Sequence, residues 1–342
     1  MRSLLRGVVG ACVVASAATV LGQTSDLPNL TSRLVVVRFS MAGGRIEATA
    51  DQPGFEREQT STIEPGRHET LSVSTNNEEE ASVKYDLATD TEQLSVNVSD
   101  GCDVSISRHP AKKPHAAQVD FQQPRTGPIV LTVEQDGVKR EIRGDTVWYL
   151  LLSEPELCRE HLLPLLAMLR SDWRLVETAQ AIESQMLRIA GAYREANLRR
   201  WSRLVGNLAS DQFMVREAAD RQLRAEGTVV LPFLQSLDRH QLDFEQASRI
   251  DGIVDMQAES TEDTPEQEAS QLMDNRSLWA VLLNRPQEST RRTAARQLAF
   301  LLGDGSIEFD PGAPELVRKA QAEALRKRIG ANAAATPNGG AK

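Results

Sequence analysis

The side chains able to do chemistry are scattered in this chain, and their spacing argues against the familiar catalytic constellations. Five of 342 residues are histidine and three are cysteine. There is no His-Glu-x-x-His helix, no Gly-x-Ser-x-Gly elbow, no phosphate-cradling Gly-Lys-Ser/Thr loop and no Cys-x-x-Cys pair. His109 and His115 end a basic, proline-punctuated connection with no thiol or acidic cluster beside them, which reads as a surface loop rather than a metal site. Carboxylates number 48 against 39 Lys and Arg. An acid pair of glycosidase type, whose partners need not be neighbours in sequence, therefore stays open. No cofactor and no metal are expected.

The four tryptophans, Trp148, Trp173, Trp201 and Trp279, fall in the second half among Leu, Val or Ala at helical spacing, as residues of an inter-helix core do. Trp201 is flanked by Arg199, Arg200 and Arg203, so it is expected to be partly exposed. With those arginines it is the candidate binding surface.

Compartment follows from the first residues. Met1, Arg2 and Arg6 precede an uncharged apolar run from Gly7 to Leu21. This reads as a signal peptide, residues 1–22, cleaved near Gly22 and leaving a periplasmic or secreted chain. The run is shorter than the roughly 20 residues a bilayer-spanning helix needs, so no stable membrane span is expected after cleavage. Formal net charge is −9 and the isoelectric point about 5.3, which removes the generally basic surface that nucleic acid requires. Cleavage takes Cys12 away. Cys102 and Cys158 could then form one disulfide if their Cα atoms approach within about 7 Å. Alternatively Cys158, on one helical face with Leu162, Leu165 and Leu169, is a small buried hydrophobe.

Two kinds of element must position these groups. From Leu34 to Ile142 apolar residues recur at every second position, as in Val83, Tyr85, Leu87 and Leu94, Val96, Val98. Turn residues such as Asp100-Gly101 and Asp136-Gly137 fall between the runs. Residues 30–144 are expected to form an antiparallel β-sandwich. Gln52 to Glu69 is expected to be a long polar loop, and Glu78 to Glu80 an acidic tip.

After Arg143 the period becomes helical. Asp145 or Thr146 is placed to cap a short helix, Ser153 and Glu156 to form a capping box, and Pro164 to divide the helix after it. Asp255 to Glu268 is expected to be an acidic loop leading into a helix near Pro265. The tail, residues 330–342, is expected to be disordered.

One motif stands out in residues 145–329: Asp211, Val215, Arg216, Glu217, Ala218, Ala219, Leu223 and Gly227. It resembles the second helix of a HEAT-type repeat. A weaker echo runs through Glu288, Arg291, Arg292, Ala294, Ala295, Leu298 and Leu301. The resemblance implies that Asp211 opens a helix and that Arg216 pairs with a nearby acidic or carbonyl group, both structural roles. The whole arrangement is similar to a class of exported planctomycete proteins in which a β domain precedes helices of this kind, and that similarity brings no catalytic residues.

The fold class read from the sequence is thus α+β multidomain, an N-terminal β-sandwich before an all-α HEAT-like domain. The function read from it is an exported, non-enzymatic interaction or scaffold protein whose partner is a protein. The rivals are a periplasmic hydrolase, in which acids converge in space, and a cell-wall polymer-binding module.

Overall fold

Alternation along the first half becomes antiparallel sheet in the computed structural model, which describes residues 30, 34, 36–64, 66–77, 80–111, 115–192, 195–256 and 263–335. A hairpin comes first, β1 (Val37–Ala42) and β2 (Arg45–Ala50), turning through Gly43 and Gly44, both at positive φ. Eight further strands follow: β3 (Glu56–Glu64), β4 (Arg67–Thr75), β5 (Ala81–Thr89), β6 (Glu92–Ser99), β7 (Asp103–Pro110), β8 (Gln118–Gln123), β9 (Ile129–Gln135) and β10 (Val138–Gly144). They pair as an uninterrupted antiparallel meander, each strand beside its neighbour in sequence. Short turns set this order, because antiparallel neighbours need only a two-residue connection. Asp100-Gly101 and Asp136-Gly137 supply the positive φ such turns demand.

The expected loop from Gln52 to Glu69 is instead mostly strand, since it holds β3 and the start of β4. Its composition misleads for a physical reason. β3 is polar apart from Ile63 and lies at one edge of the sheet, while β10, with four charged residues in seven, lies at the other. Charged edges discourage pairing with a second chain, and that need overrides the one-face alternation of central strands. The tip residues Glu78 and Glu79 lie outside the described residues.

One face of the sheet is apolar and buried, with Val83, Tyr85, Val96, Ile106, Phe121 and Leu131 among its residues. The β1–β2 hairpin meets the sheet through Gln123. Its side-chain amide donates to the Ile46 and Cys102 carbonyls (2.8 and 2.9 Å), and its oxygen accepts from the Ile46 N–H (2.8 Å). The Arg45 guanidinium adds bonds to the carbonyls of Pro124, Gly127 and Asp145.

Helices occupy the rest of the described chain: α1 (Val147–Ser153), α2 (Pro155–Leu157), a π-helical turn (Cys158–Leu162), α3 (Leu163–Leu169), α4 (Leu175–Ala192), α5 (Glu195–Asn207), α6 (Phe213–Ala225), a 3-10 turn (Gly227–Val230), α7 (Leu231–Gln235), α8 (Phe244–Asp255), α9 (Pro265–Leu272), α10 (Arg276–Leu282), α11 (Glu288–Leu302) and α12 (Glu315–Ala335). The chain is therefore β then helical, an α+β arrangement. Thr146 caps α1, its hydroxyl accepting from the Tyr149 N–H, and Pro164 sits in the first turn of α3, where the helix divides. The box expected at Ser153 does not form: the Ser153 hydroxyl donates back to the Leu150 carbonyl and Glu154 is the N-cap of α2. Thr264 and Gln267 form a reciprocal box before α9. The last helix runs on to Ala335, and residues 336–342 lie outside the described residues.

The apolar interior has two parts. One cluster is continuous from the sheet through α1, α3, α4 and α9 to α12. A second belongs to α5–α8 and contains Trp201, Leu208, Leu223, Leu234 and Ile250. The segment α5–α8 thus departs from the main body and returns, and α9 then packs on α4. Nearest-neighbour stacking along the chain, the rule for a regular solenoid, is broken at that excursion. No helix among the described residues is long and apolar enough to cross a membrane. The segment read as a signal peptide lies outside the described residues.

Candidate functional site

A half-open groove of about 550 Å³ lies between α1, α2, α4 and the α10–α11 connection. Leu151, Leu152, Val176, Ala179 and Leu187 give it apolar walls: Leu151, Leu152 and Ala179 belong to the buried faces of α1 and α4, and the half-buried Val176 and Leu187 border the α4 stripe. Its polar edge is a fixed ion pair. Arg285 donates to both Glu183 oxygens, through Nε at 3.1 and 3.0 Å and through Nη2 at 2.7 Å, and Nη2 also reaches the Leu152 carbonyl at 2.8 Å. Arg159 and Glu156 form a more exposed pair on the other side at 2.6 Å. Gln180 and Ser184 line the opening and are exposed. The groove has the size and the mixed lining of a ligand or peptide site.

One arginine of the repeat-like motif holds a wall of this groove. Arg291 is buried, and its guanidinium donates to the carbonyls of Arg285 (2.9 Å), Pro286 and Pro311 (2.9 and 2.7 Å). Arg285 and Pro286 both line the groove. Arg216 makes the corresponding bond to the Ser210 carbonyl at 2.7 Å and lies 3.7 Å from Glu245. A third copy escaped the sequence reading: Val317 and Arg318 open α12, and Arg318 donates to the Ala313 carbonyl. In α6, α11 and α12 the arginine is the fourth helical residue, and a buried leucine (Leu223, Leu298, Leu325) follows seven positions later. That shared spacing was the available signal. Asp211 is exposed and precedes the actual N-cap, Gln212.

Trp201 does not lie at the surface. It is fully buried in the α5–α8 core against Phe233, ring centroids 5.6 Å apart, which corrects the expectation of partial exposure. The charges around it misled, since Arg199, Arg200 and Arg203 occupy the outward face of the same amphipathic helix. Arg200 pairs with Glu226. Cys102 and Cys158 are free thiols rather than a disulfide. Cys158 is buried, its Sγ 3.3 Å from the Leu150 carbonyl, and burial with the nearby Glu154 charge pushes its pKa up to about 12. His109 and His115 pair with Asp120 and Asp136 at 3.0 and 2.8 Å, and no cluster able to hold a metal ion occurs among the described residues.

One acid pair does converge, away from the groove. Asp263 accepts from the Gly43 N–H (2.6 Å), the Gly44 N–H (2.7 Å) and the Trp148 indole N–H (2.9 Å), while its own N–H donates to the Met41 carbonyl (3.2 Å). Beside it Glu268 is 1 % exposed, and its Oε2 has no hydrogen-bond partner. Burial first, and Asp263 second, push the Glu268 carboxyl from the ordinary value near 4.5 up to about 8. A carboxyl raised by burial beside a second acid is a feature that acid–base catalysis uses. Here both Asp263 oxygens are consumed by backbone and indole donors and Glu268 is sealed from solvent, so the arrangement ties structure together. The sequence placed both residues at a loop-to-helix junction but could not bring β1–β2 to them.

No protein-family model, curated protein or solved structure matches the chain.

Proposed function

We propose that this chain is an exported, non-enzymatic interaction protein whose helical half docks a segment of a partner protein in the groove between α1, α4 and the α10–α11 connection. The carrying observation is the groove itself, an apolar channel bordered by the Arg285–Glu183 and Arg159–Glu156 pairs. Such a lining suits an extended polypeptide, with apolar side chains entering the channel and polar or charged flanks meeting the two ion pairs. In this reading the helical half is HEAT-like, supported by the arginine device shared by α6, α11 and α12 and by the left-handed glycines Gly227 and Gly303. The front half is an asymmetric sandwich, eight strands against the β1–β2 hairpin. Export rests on the basic and apolar opening residues.

The hydrolase alternative loses its best acid pair, because Asp263 and Glu268 are spent on structure and do not face the groove. The test compares affinity capture from the exported fraction by the full chain and by Ser184→Trp, which fills the groove opening from an exposed position. A specific protein recovered by the first and lost by the second is the expected result. Equal recovery by both, or hydrolysis of a glycan or peptide panel by the chain, overturns the proposal.

A further inference from the structure

We propose that Asp263 and Glu268 form a pH-operated latch: while Glu268 is protonated, Asp263 holds the β1–β2 turn and the indole of Trp148, and ionisation of Glu268 lets them go. Three pieces of chain far apart in sequence meet there. Asp263, at the entry to α9, engages the N–H groups of Gly43 and Gly44 in the hairpin turn and the side chain of Trp148 in α1.

The latch is built with little slack. Gly43 and Gly44 have φ of +57° and +69°, and a Cβ on Gly44 would lie 2.5 Å from Thr146. Side-chain-free backbone therefore brings both N–H groups onto one carboxylate. Asp263 accepts from three donors and shares a side-chain hydrogen bond with Glu268, whose other buried oxygen, Oε2, has no partner and which makes no ion pair with a cation among the described residues. A second negative charge beside Asp263 has nothing to neutralise it.

The surroundings reinforce this. Glu47 on β2 faces Asp263 and is another carboxylate, raised by partial burial and then by the Asp263 charge. α9 packs against α4, the 3-10 turn and α7. From α4 comes Gln185, which donates to Glu266 at 2.9 Å, and Arg188 is engaged with Gln185 and Thr228. The charged groups acting on Glu268 reduce to its carboxylate neighbour.

The sign of the effect follows. Burial and Asp263 raise the closed-state value of Glu268 to about 8, while in an opened, solvated latch it returns toward 4.5. Between those values the open form binds fewer protons than the closed form. The closed latch is complete at the acid end of that window and weakens as pH rises toward 8, flattening above it.

The experiment is amide hydrogen exchange at Gly43 and Gly44 in the full chain, corrected for intrinsic rates, at pH 5.5, 6.5 and 7.5. Protection in the unaltered chain is expected to fall about tenfold per pH unit. In Glu268→Gln, which keeps the shape but cannot ionise, it should change less than about threefold over the same range. A flat profile in the unaltered chain overturns the latch whether or not the variant folds, and so does an equal fall in both. Carbon-13 observation of the Glu268 carboxyl supplies a second readout. It should titrate at the upper end of that window, where the fall in protection flattens, and titration near the ordinary carboxylate value contradicts the latch.

Discussion

Replacing Arg291 tests whether the repeat-like motif shapes the groove or merely decorates a helix. Its buried guanidinium makes four hydrogen bonds to three carbonyl oxygens, those of Arg285, Pro286 and Pro311. Arg291→Met removes the charge and leaves the three acceptors to find new partners, at about 1 kcal/mol each, so a loss of roughly 3 kcal/mol is expected. Arg291→Lys keeps the charge but replaces a planar fork by a point donor that cannot serve three carbonyls, and should lose about 2 kcal/mol. Arg216 makes a single bond of this kind, to Ser210. Arg216→Met should therefore lose only about 1 kcal/mol. Urea unfolding followed by circular dichroism reads all three, each compared at equal slope so that midpoint shifts report stability. Because Arg291 fixes the backbone of Arg285 and Pro286, its variants should also weaken partner capture at temperatures where the chain remains folded. A loss below about 1 kcal/mol for Arg291→Met, or an equal loss for Arg216→Met, would refute the assignment.

Other consequences are more local. Global stability should decline with rising pH at up to about 1.4 kcal/mol per unit between the ordinary Glu268 value near 4.5 and about 8, and Glu268→Gln should remove that slope in urea titrations. His161 behaves in the opposite sense. Burial holds its folded-state value below the ordinary 6.5, with Arg108 and Arg140 acting the same way against Glu160. Its contribution is present above 6.5 and lost as pH falls through the lowered value, so His161→Gln should gain relative stability on the acid side of unfolding curves. Alkylation mapped by mass spectrometry should modify Cys102 in the native chain and spare Cys158 until denaturant is added. Trp201→Ala should lose about 3 to 5 kcal/mol from the α5–α8 core, measured as an early transition in far-ultraviolet circular dichroism that precedes the fluorescence change of the tryptophans in the main cluster.

What the sequence revealed depended on whether a local rule was free to act. The central strands display their period because one face is buried and the other wet, as in Val83, Tyr85 and Leu87. β3 hid itself, because an edge strand is under pressure to be polar. The cap at Thr146, the helix start at Pro265 and the glycine after α6 were readable since each is set within a few residues. The arginine of α11 was visible and its role in the groove was not, because its acceptors Arg285, Pro286 and Pro311 depend on how two loops meet. Trp201 illustrates the opposite error: neighbouring arginines in sequence occupy the far face of the helix. The helix start near Pro265, between Asp263 and Glu268, was legible, yet the partner turn at Gly43 and Gly44 is 219 or more residues away from Asp263.

The claim that the groove docks a partner protein is tested most directly by photo-cross-linking. A photoreactive amino acid at Gln180, exposed at the groove opening, is compared in the exported fraction with one at Lys84, exposed on the sheet. One discrete adduct is expected from position 180, abolished by Ser184→Trp, and none from position 84. No adduct at 180, or the same adducts from both positions, contradicts it.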